Sequence, residues 1–167
     1  MPEQIKSSRD DETHAERADR NFGDLLQELR VAQTGVQILF AFLLTMVFSA
    51  RFAEVDRFEK AVYLVSLLSA AAAAALIIAP VAYHRVLFRR GMKEELVQVA
   101  HRMAAGGLAF LVISIVGAVL LVTDVVLDRA AAIVVTGITG IWFALLWLVV
   151  PFAHRKVADG DDGPGIR

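Results

Sequence analysis

The chain alternates between long apolar stretches and short charged ones. Four stretches contain no Asp, Glu, Lys, Arg or His, and they cover residues 31–50, 61–83, 103–123 and 130–153. A helix of about 20 residues, rising 1.5 Å per residue, spans a hydrocarbon core of about 30 Å. Every stretch reaches that length. The pattern therefore predicts an all-α polytopic membrane protein whose four transmembrane helices form two hairpins.

The remaining segments predict the domain organisation. Residues 1–20 are hydrophilic and show no apolar periodicity, so we expect a disordered tail there. Asn21 is a candidate helix cap, and residues 21–155 form the predicted four-helix transmembrane domain. Residues 156–167 contain several Gly and Asp residues and one Pro, a composition typical of a second disordered tail.

The distribution of Lys and Arg predicts the orientation. The two tails and the segment between spans two and three together carry 13 of these residues, whereas the two loops on the opposite side carry 4. The positive-inside rule places the more basic side in the cytoplasm. Both termini are therefore predicted to be cytoplasmic, and the expected location is the cytoplasmic (inner) membrane of a bacterium.

The composition agrees with a membrane protein and argues against several other classes. Hydrophobic residues make up 57% of the chain, and the mean hydropathy is +0.58. The absence of cysteine removes thiolate zinc sites, and a net charge of −1 provides no basic surface for nucleic acid. No phosphate-binding loop, nucleophile with a base or metal motif is present. We expect no enzymatic activity, no catalytic, cofactor-binding or metal-binding residues, and no cofactor.

Span one carries the most polar intramembrane surface. Its polar residues recur at steps of about three or four along one helix face: Arg30, Gln33, Thr34, Gln37 and Thr45. Because glutamine is costly in lipid, we expect this face to look into the bundle. Two interpretations fit: hydrogen bonds that hold helices together, which we favour, or a polar lining for a solute or ion path.

Two other groups of residues are candidates for contacts. Small residues at four-residue spacing on span four predict a helix-packing face, formed by Ala132, Thr136, Gly140 and Ala144. A basic cluster follows span two and predicts contact with anionic lipids at the cytoplasmic face, through Arg85, Arg89, Arg90 and Lys93. The expected partners are thus the lipid bilayer, anionic lipids, and either a second copy of the chain or another membrane protein.

The ends of spans two and four are alike. Pro80 is followed by His84 and Arg85, and Pro151 by His154 and Arg155. The similarity fits a duplicated hairpin, a device found in transporters. It also fits two independent helix exits into a basic interface, which we favour.

Two segments carry a resemblance to a known family. Residues 28–45 (ELRVAQTGVQILFAFLLT) and 84–91 (HRVLFRRG) resemble an uncharacterised bacterial family of small four-span membrane proteins, over about residues 21–155. Some members carry an automatic label of sodium:proton antiporter. The resemblance implies the four-span architecture and assigns no functional residue.

Two functions from different classes are compatible with these observations. The first is a structural, interaction or modulatory membrane protein, which fits spans without acids and small-residue faces. The alternative is a small oligomeric transporter or channel, related to cations or protons as the family label suggests. We favour the first.

Overall fold

The computed structural model describes residues 14–87 and 93–149, with side chains described for residues 20, 23–83 and 98–147. This part of the chain is all helical. The main helices are α1 (His14–Met46), α2 (Arg57–Leu87), α3 (Lys93–Val126) and α4 (Arg129–Ala144). A 3₁₀ turn, Ala50–Glu54, lies between α1 and α2, and a π-helical turn, Leu145–Val149, continues α4.

Each main helix contains a segment that is long and apolar enough to cross a membrane. These segments are Gly23–Met46, Arg57–Tyr83, Gln98–Val126 and Arg129–Trp147. The prediction of an all-α chain with four membrane-spanning helices is confirmed. Each of the four segments begins earlier than the predicted span because helical structure continues into the charged flanking residues, which a charge-free criterion leaves out.

The bounds of α1 differ from the prediction at both ends. The helix begins at His14, so Asn21 lies inside it and does not cap its start. At the other end the helix stops at Met46, four residues before the predicted end of span one. The rest of the predicted tails, residues 1–13 and 156–167, lies outside the described residues.

The α2–α3 pair forms the closest helix contact. Small residues face each other along it, including Ser66, Ala70, Ala73, Gly107 and Gly117. A Cβ added at Gly117 would overlap the Ser66 side chain, with only 3.2 Å to its Cβ. Glycine at this position therefore permits the two backbones to approach each other.

A hydrogen bond crosses the same interface. Ser114 Oγ donates to the backbone carbonyl of Ser66 at 2.8 Å, and Ser66 Oγ donates to the Val62 carbonyl at 2.7 Å. Both serine side chains are fully buried. Their hydroxyls are thus satisfied by helix backbone, as buried polar groups in an apolar environment require.

α1 packs its apolar face on α2 and α3. Leu29 and Val36 lie in one buried cluster with Ile77 of α2 and Leu111 of α3. Further along the helix, Leu43 lies in a second cluster, and Tyr63 of α2 donates a hydrogen bond from its hydroxyl to the Leu43 carbonyl at 3.1 Å. The three helices therefore share one core.

α4 packs mainly on α3. Ala132 is fully buried and Thr136 is 8% exposed, with Thr136 Oγ1 lacking a hydrogen-bond partner in the described part of the chain. Gly140 is half-buried and faces Val116 of α3, whereas Ala144 is exposed. Three of the four residues predicted to pack this helix thus lie at or near its contact with α3.

Candidate functional site

The outward side of α1 carries a stripe of polar and small residues. We call it the outward seam and define it by six exposed residues: Gln27, Arg30, Thr34, Gln37, Ala41 and Leu44. They follow one another at alternating steps of three and four residues, which keeps them on one helix face. Thr45 is exposed beside Leu44, and Gln33 is half-buried at the edge of the stripe.

A second stripe of α1, with the same alternating spacing, is apolar and faces the core. Its buried members are Leu25, Leu29, Val36 and Leu43, and partly buried residues fill the steps between them. The expectation that the polar face of span one looks into the bundle is therefore wrong for the single chain. The apolar stripe occupies that side because it packs closely on the apolar faces of α2 and α3 and gains van der Waals contact there.

The threonine hydroxyls of the polar face are satisfied within α1. Thr34 Oγ1 donates to the Arg30 carbonyl at 3.1 Å, and Thr45 Oγ1 donates to the Phe42 carbonyl at 2.8 Å. The two glutamines differ from the threonines in this respect. Within the described part of the chain, the side-chain amides of Gln33 and Gln37 have no hydrogen-bond partner. These two amides are therefore polar groups of the α1 surface that could accept further hydrogen-bond partners.

Gln37 lies deep in the membrane-spanning segment. The charge-free part of α1 starts at Val31 and the helix ends at Met46, so Gln37 lies about 9 Å from one end and about 13 Å from the other at 1.5 Å per residue. At such a position in a hydrocarbon core of about 30 Å a side chain has few hydrogen-bonding groups around it. An amide transferred from water to a medium without hydrogen-bonding groups costs about 4–8 kcal/mol. A bare lipid contact is therefore unfavourable for Gln37.

A charged cluster joins three helices at the end of the molecule where the two short loops lie. Arg129, the first residue of α4, contacts Asp56 at 2.8 Å and Asp124 at 2.9 Å. Its guanidinium also lies 4.6 Å from the centre of the Phe58 ring. The side chain of Asp124 is only 5% exposed, and Arg129 is its ion-pair partner.

Asp56 also starts α2. Its carboxylate accepts a hydrogen bond from the Glu59 N–H at 2.8 Å, while the Asp56 N–H donates to the Glu59 carboxylate at 2.6 Å. This reciprocal pair is a capping box. The Glu59 N–H and then the Arg129 guanidinium lower the pKa of Asp56, since both stabilise its charged form. The cluster therefore holds together the start of α2, the end of α3 and the start of α4.

An apolar cavity of about 220 Å³ lies beside this cluster. Met46, Phe52, Tyr63, Leu121 and Val125 supply much of its wall. Glu59 also lines the cavity, but its carboxylate accepts the capping hydrogen bond described above. The cavity thus offers shape and apolar contact, and its polar lining residues Ser49, Arg51 and Glu59 each already have a partner within the chain.

The residues predicted to contact anionic lipids cannot be placed by their side chains. Arg89 and Arg90 lie between α2 and α3, outside the described residues, and the side chains of Arg85 and Lys93 are also outside them. Contact with anionic lipids stays a prediction.

The four apolar helices define the class: this is a multi-pass helical membrane protein. Its family follows from a match over residues 11–151. The chain belongs to DUF6328, a family of unknown function. No curated protein and no solved structure matches the chain.

Proposed function

We propose that this chain is a structural or interaction protein of the membrane, and that its first helix binds another protein within the bilayer. The outward seam carries the proposal. Its central residue, Gln37, is exposed on the single chain, lies deep in the span and has no hydrogen-bond partner in the described part of the chain. A protein surface that covers the seam would supply the missing hydrogen bonds and exclude lipid.

The packing inside the chain supports the same role. α2 and α3 approach closely where Gly117 meets Ser66, and the buried serines donate to helix backbone. The buried clusters that α1 forms with these helices consist of Leu, Val, Ile, Ala and one Tyr. This interior suits a rigid support for an exposed surface better than a solute path through one chain. We propose no catalytic step.

The location and orientation belong to the proposal. The distribution of Lys and Arg favours the cytoplasmic membrane of a bacterium, with both termini in the cytoplasm. The basic residues that follow span two would then face anionic lipids of the inner leaflet.

Site-specific photo-cross-linking in cell membranes tests the interaction. A photoreactive side chain at position 37 should form adducts with protein. The matched control is position 42, because Phe42 is exposed on the same helix but outside the seam. There the adducts should be with lipid. Adducts with lipid alone at both positions would contradict the proposal.

A second candidate is a small oligomeric transporter or channel for cations or protons. One observation favours it: if several copies placed their α1 helices around an axis, Thr34 and Gln37 of each copy would line a shared polar path. Ion flux through liposomes that contain the purified protein distinguishes this candidate. A flux above that of empty liposomes, lost on Gln37→Leu, would favour the path over the interaction role.

A further inference from the structure

We infer that the protein covering the outward seam is a second copy of this chain, related to the first by a two-fold axis along the membrane normal. This inference rests on the proposed interaction role of α1 and names its partner. It follows from the spacing of the seam, from the chemistry of its central residue and from the symmetry that a membrane imposes.

The spacing is that of a coiled-coil contact. From Gln27 to Leu44 the seam alternates steps of three and four residues, so its period is 3.5. Two helices with this period pack at a small left-handed crossing angle along the whole seam, as most membrane helix bundles do. The small side chains of Thr34 and Ala41 lie one step on either side of Gln37 and would let the backbones approach each other there.

The central residue is self-complementary. A glutamine amide has two N–H donors and one carbonyl acceptor. Gln37 of one copy can therefore donate to Gln37 of the other and accept from it. A polar residue at one central position of such a seam also fixes the register of the two helices.

The membrane supplies the symmetry. All copies that insert with one orientation have parallel α1 helices, so a two-fold contact places each seam residue opposite its own equivalent. The arrangement brings the two Arg30 side chains close to each other near one end of the seam, one step from Gln27. Arg30 lies about 10 Å from Gln37 along the helix at 1.5 Å per residue, and its long side chain can extend into the aqueous interface. The dry part of the contact runs from Thr34 to Leu44.

Disulfide cross-linking of the purified full chain in liposomes tests the inference. The chain has no cysteine, so each variant contains a single thiol. Gln37→Cys and Ala41→Cys should form intermolecular disulfides rapidly, because paired cysteines must have Cα atoms within about 7 Å. Gly35→Cys and Phe42→Cys should form them slowly.

Gly35 is a control for Gln37 at a similar position along the helix. It lies about 3 Å from Gln37 along the helix at 1.5 Å per residue, on a different side of α1. A Cβ added there has no neighbour within 4 Å, so the variant should fold normally. Equal rates at all four positions would indicate random collision and would overturn the inference.

A second measurement concerns the amide itself. Gln37→Leu should weaken the dimer roughly 3- to 30-fold, the range expected for losing interhelical hydrogen bonds in a membrane. Gln37→Asn should retain much of the affinity, since it keeps the amide. Energy transfer between labelled copies at increasing lipid dilution measures both. An unchanged affinity in Gln37→Leu would contradict the assigned role of the amide pair.

The outcomes separate this inference from the proposed function. Photo-adducts at position 37 with a different protein, together with no disulfide between copies, would refute the second copy and leave the interaction role standing. Adducts with lipid alone would refute both.

Discussion

Replacing Gly117 by alanine tests the close packing of α2 on α3. The added Cβ would overlap Ser66 Oγ and lie 3.2 Å from Ser66 Cβ. Ser66 Oγ is held by a 2.7 Å hydrogen bond to the Val62 carbonyl, so it can move only by giving up that bond. Overpacking of this kind costs about 1–3 kcal/mol. Alanine returns about 0.5–1 kcal/mol through its better helix propensity.

The difference between the two effects is about 0–2.5 kcal/mol, so we expect Gly117→Ala to lower the free energy of unfolding by about 1 kcal/mol. Titration with SDS from mixed micelles, followed by circular dichroism, measures this quantity. Gly137→Ala is the control, because a Cβ there has no neighbour within 4 Å. It should be neutral or stabilising by up to about 1 kcal/mol.

A double-mutant cycle assigns the cost to the contact. Ser66→Ala removes the overlapping oxygen but leaves the backbone carbonyl that accepts from Ser114. In that background Gly117→Ala should cost less, with a coupling of about 1 kcal/mol or more. Equal stability of Gly117→Ala and Gly137→Ala, or an equal cost of Gly117→Ala with and without the Ser66 hydroxyl, would refute the close contact between Gly117 and Ser66.

Three further predictions concern topology, the charged cluster and transport. Cysteines at Ser7 and Asp161 should not react with an impermeant thiol reagent in intact cells, whereas one at Ala53 should react. Arg129→Gln should lower the SDS concentration at which the protein unfolds, because it leaves the two carboxylates at the ends of α2 and α3 without their cation. The pKa of Asp56 is lowered in the folded chain, so Asp56 contributes its full stabilisation above the ordinary carboxyl pKa and loses it as the pH falls through the lowered pKa. Because Arg129 contributes to the lowering, Arg129→Gln should make the loss of stability at low pH smaller. Liposomes with the purified protein should show no sodium-dependent proton movement above empty liposomes.

Each of these has a control or a contrary outcome. Labelling of both termini from outside would reverse the topology. The control for Arg129→Gln is Arg51→Gln, which removes an exposed pair with Glu54 and should change little. Equal effects of the two substitutions would contradict the joining role of Arg129. Robust exchange abolished by Asp124→Asn would mean that water and ions reach a carboxylate that the structure shows covered.

The four spans could be predicted because their length and apolar character alone decide whether a helix enters a bilayer. The orientation of α1 about its own axis could not be predicted in this way. Its apolar and polar stripes have the same spacing, so periodicity groups Arg30 with Gln37 without saying which stripe meets α2 and α3. We assigned the polar stripe to the interior on the cost of amides in lipid. A regular series from Leu25 to Leu43 was the signal that favoured the opposite side.

The charged cluster was missed for a different reason. Arg129 and Asp56 are 73 residues apart, and their contact depends on the two short loops lying side by side. The spacing of residues along one helix does not predict a contact between residues so far apart in sequence. A lone arginine at the start of span four, close to Asp124 in sequence, was the available hint.

The measurement that tests the account most directly is the oxygen accessibility of a spin label at position 37. The reference is a label at Gly35, at nearly the same depth on another side of α1. In monomeric protein, verified by its detergent-corrected mass, both labels should be equally accessible to oxygen. In the assembled protein in liposomes, accessibility at position 37 should fall while that at position 35 stays the same. A label at position 37 that is already shielded in the monomer, or one that stays accessible in the assembly, would contradict the account.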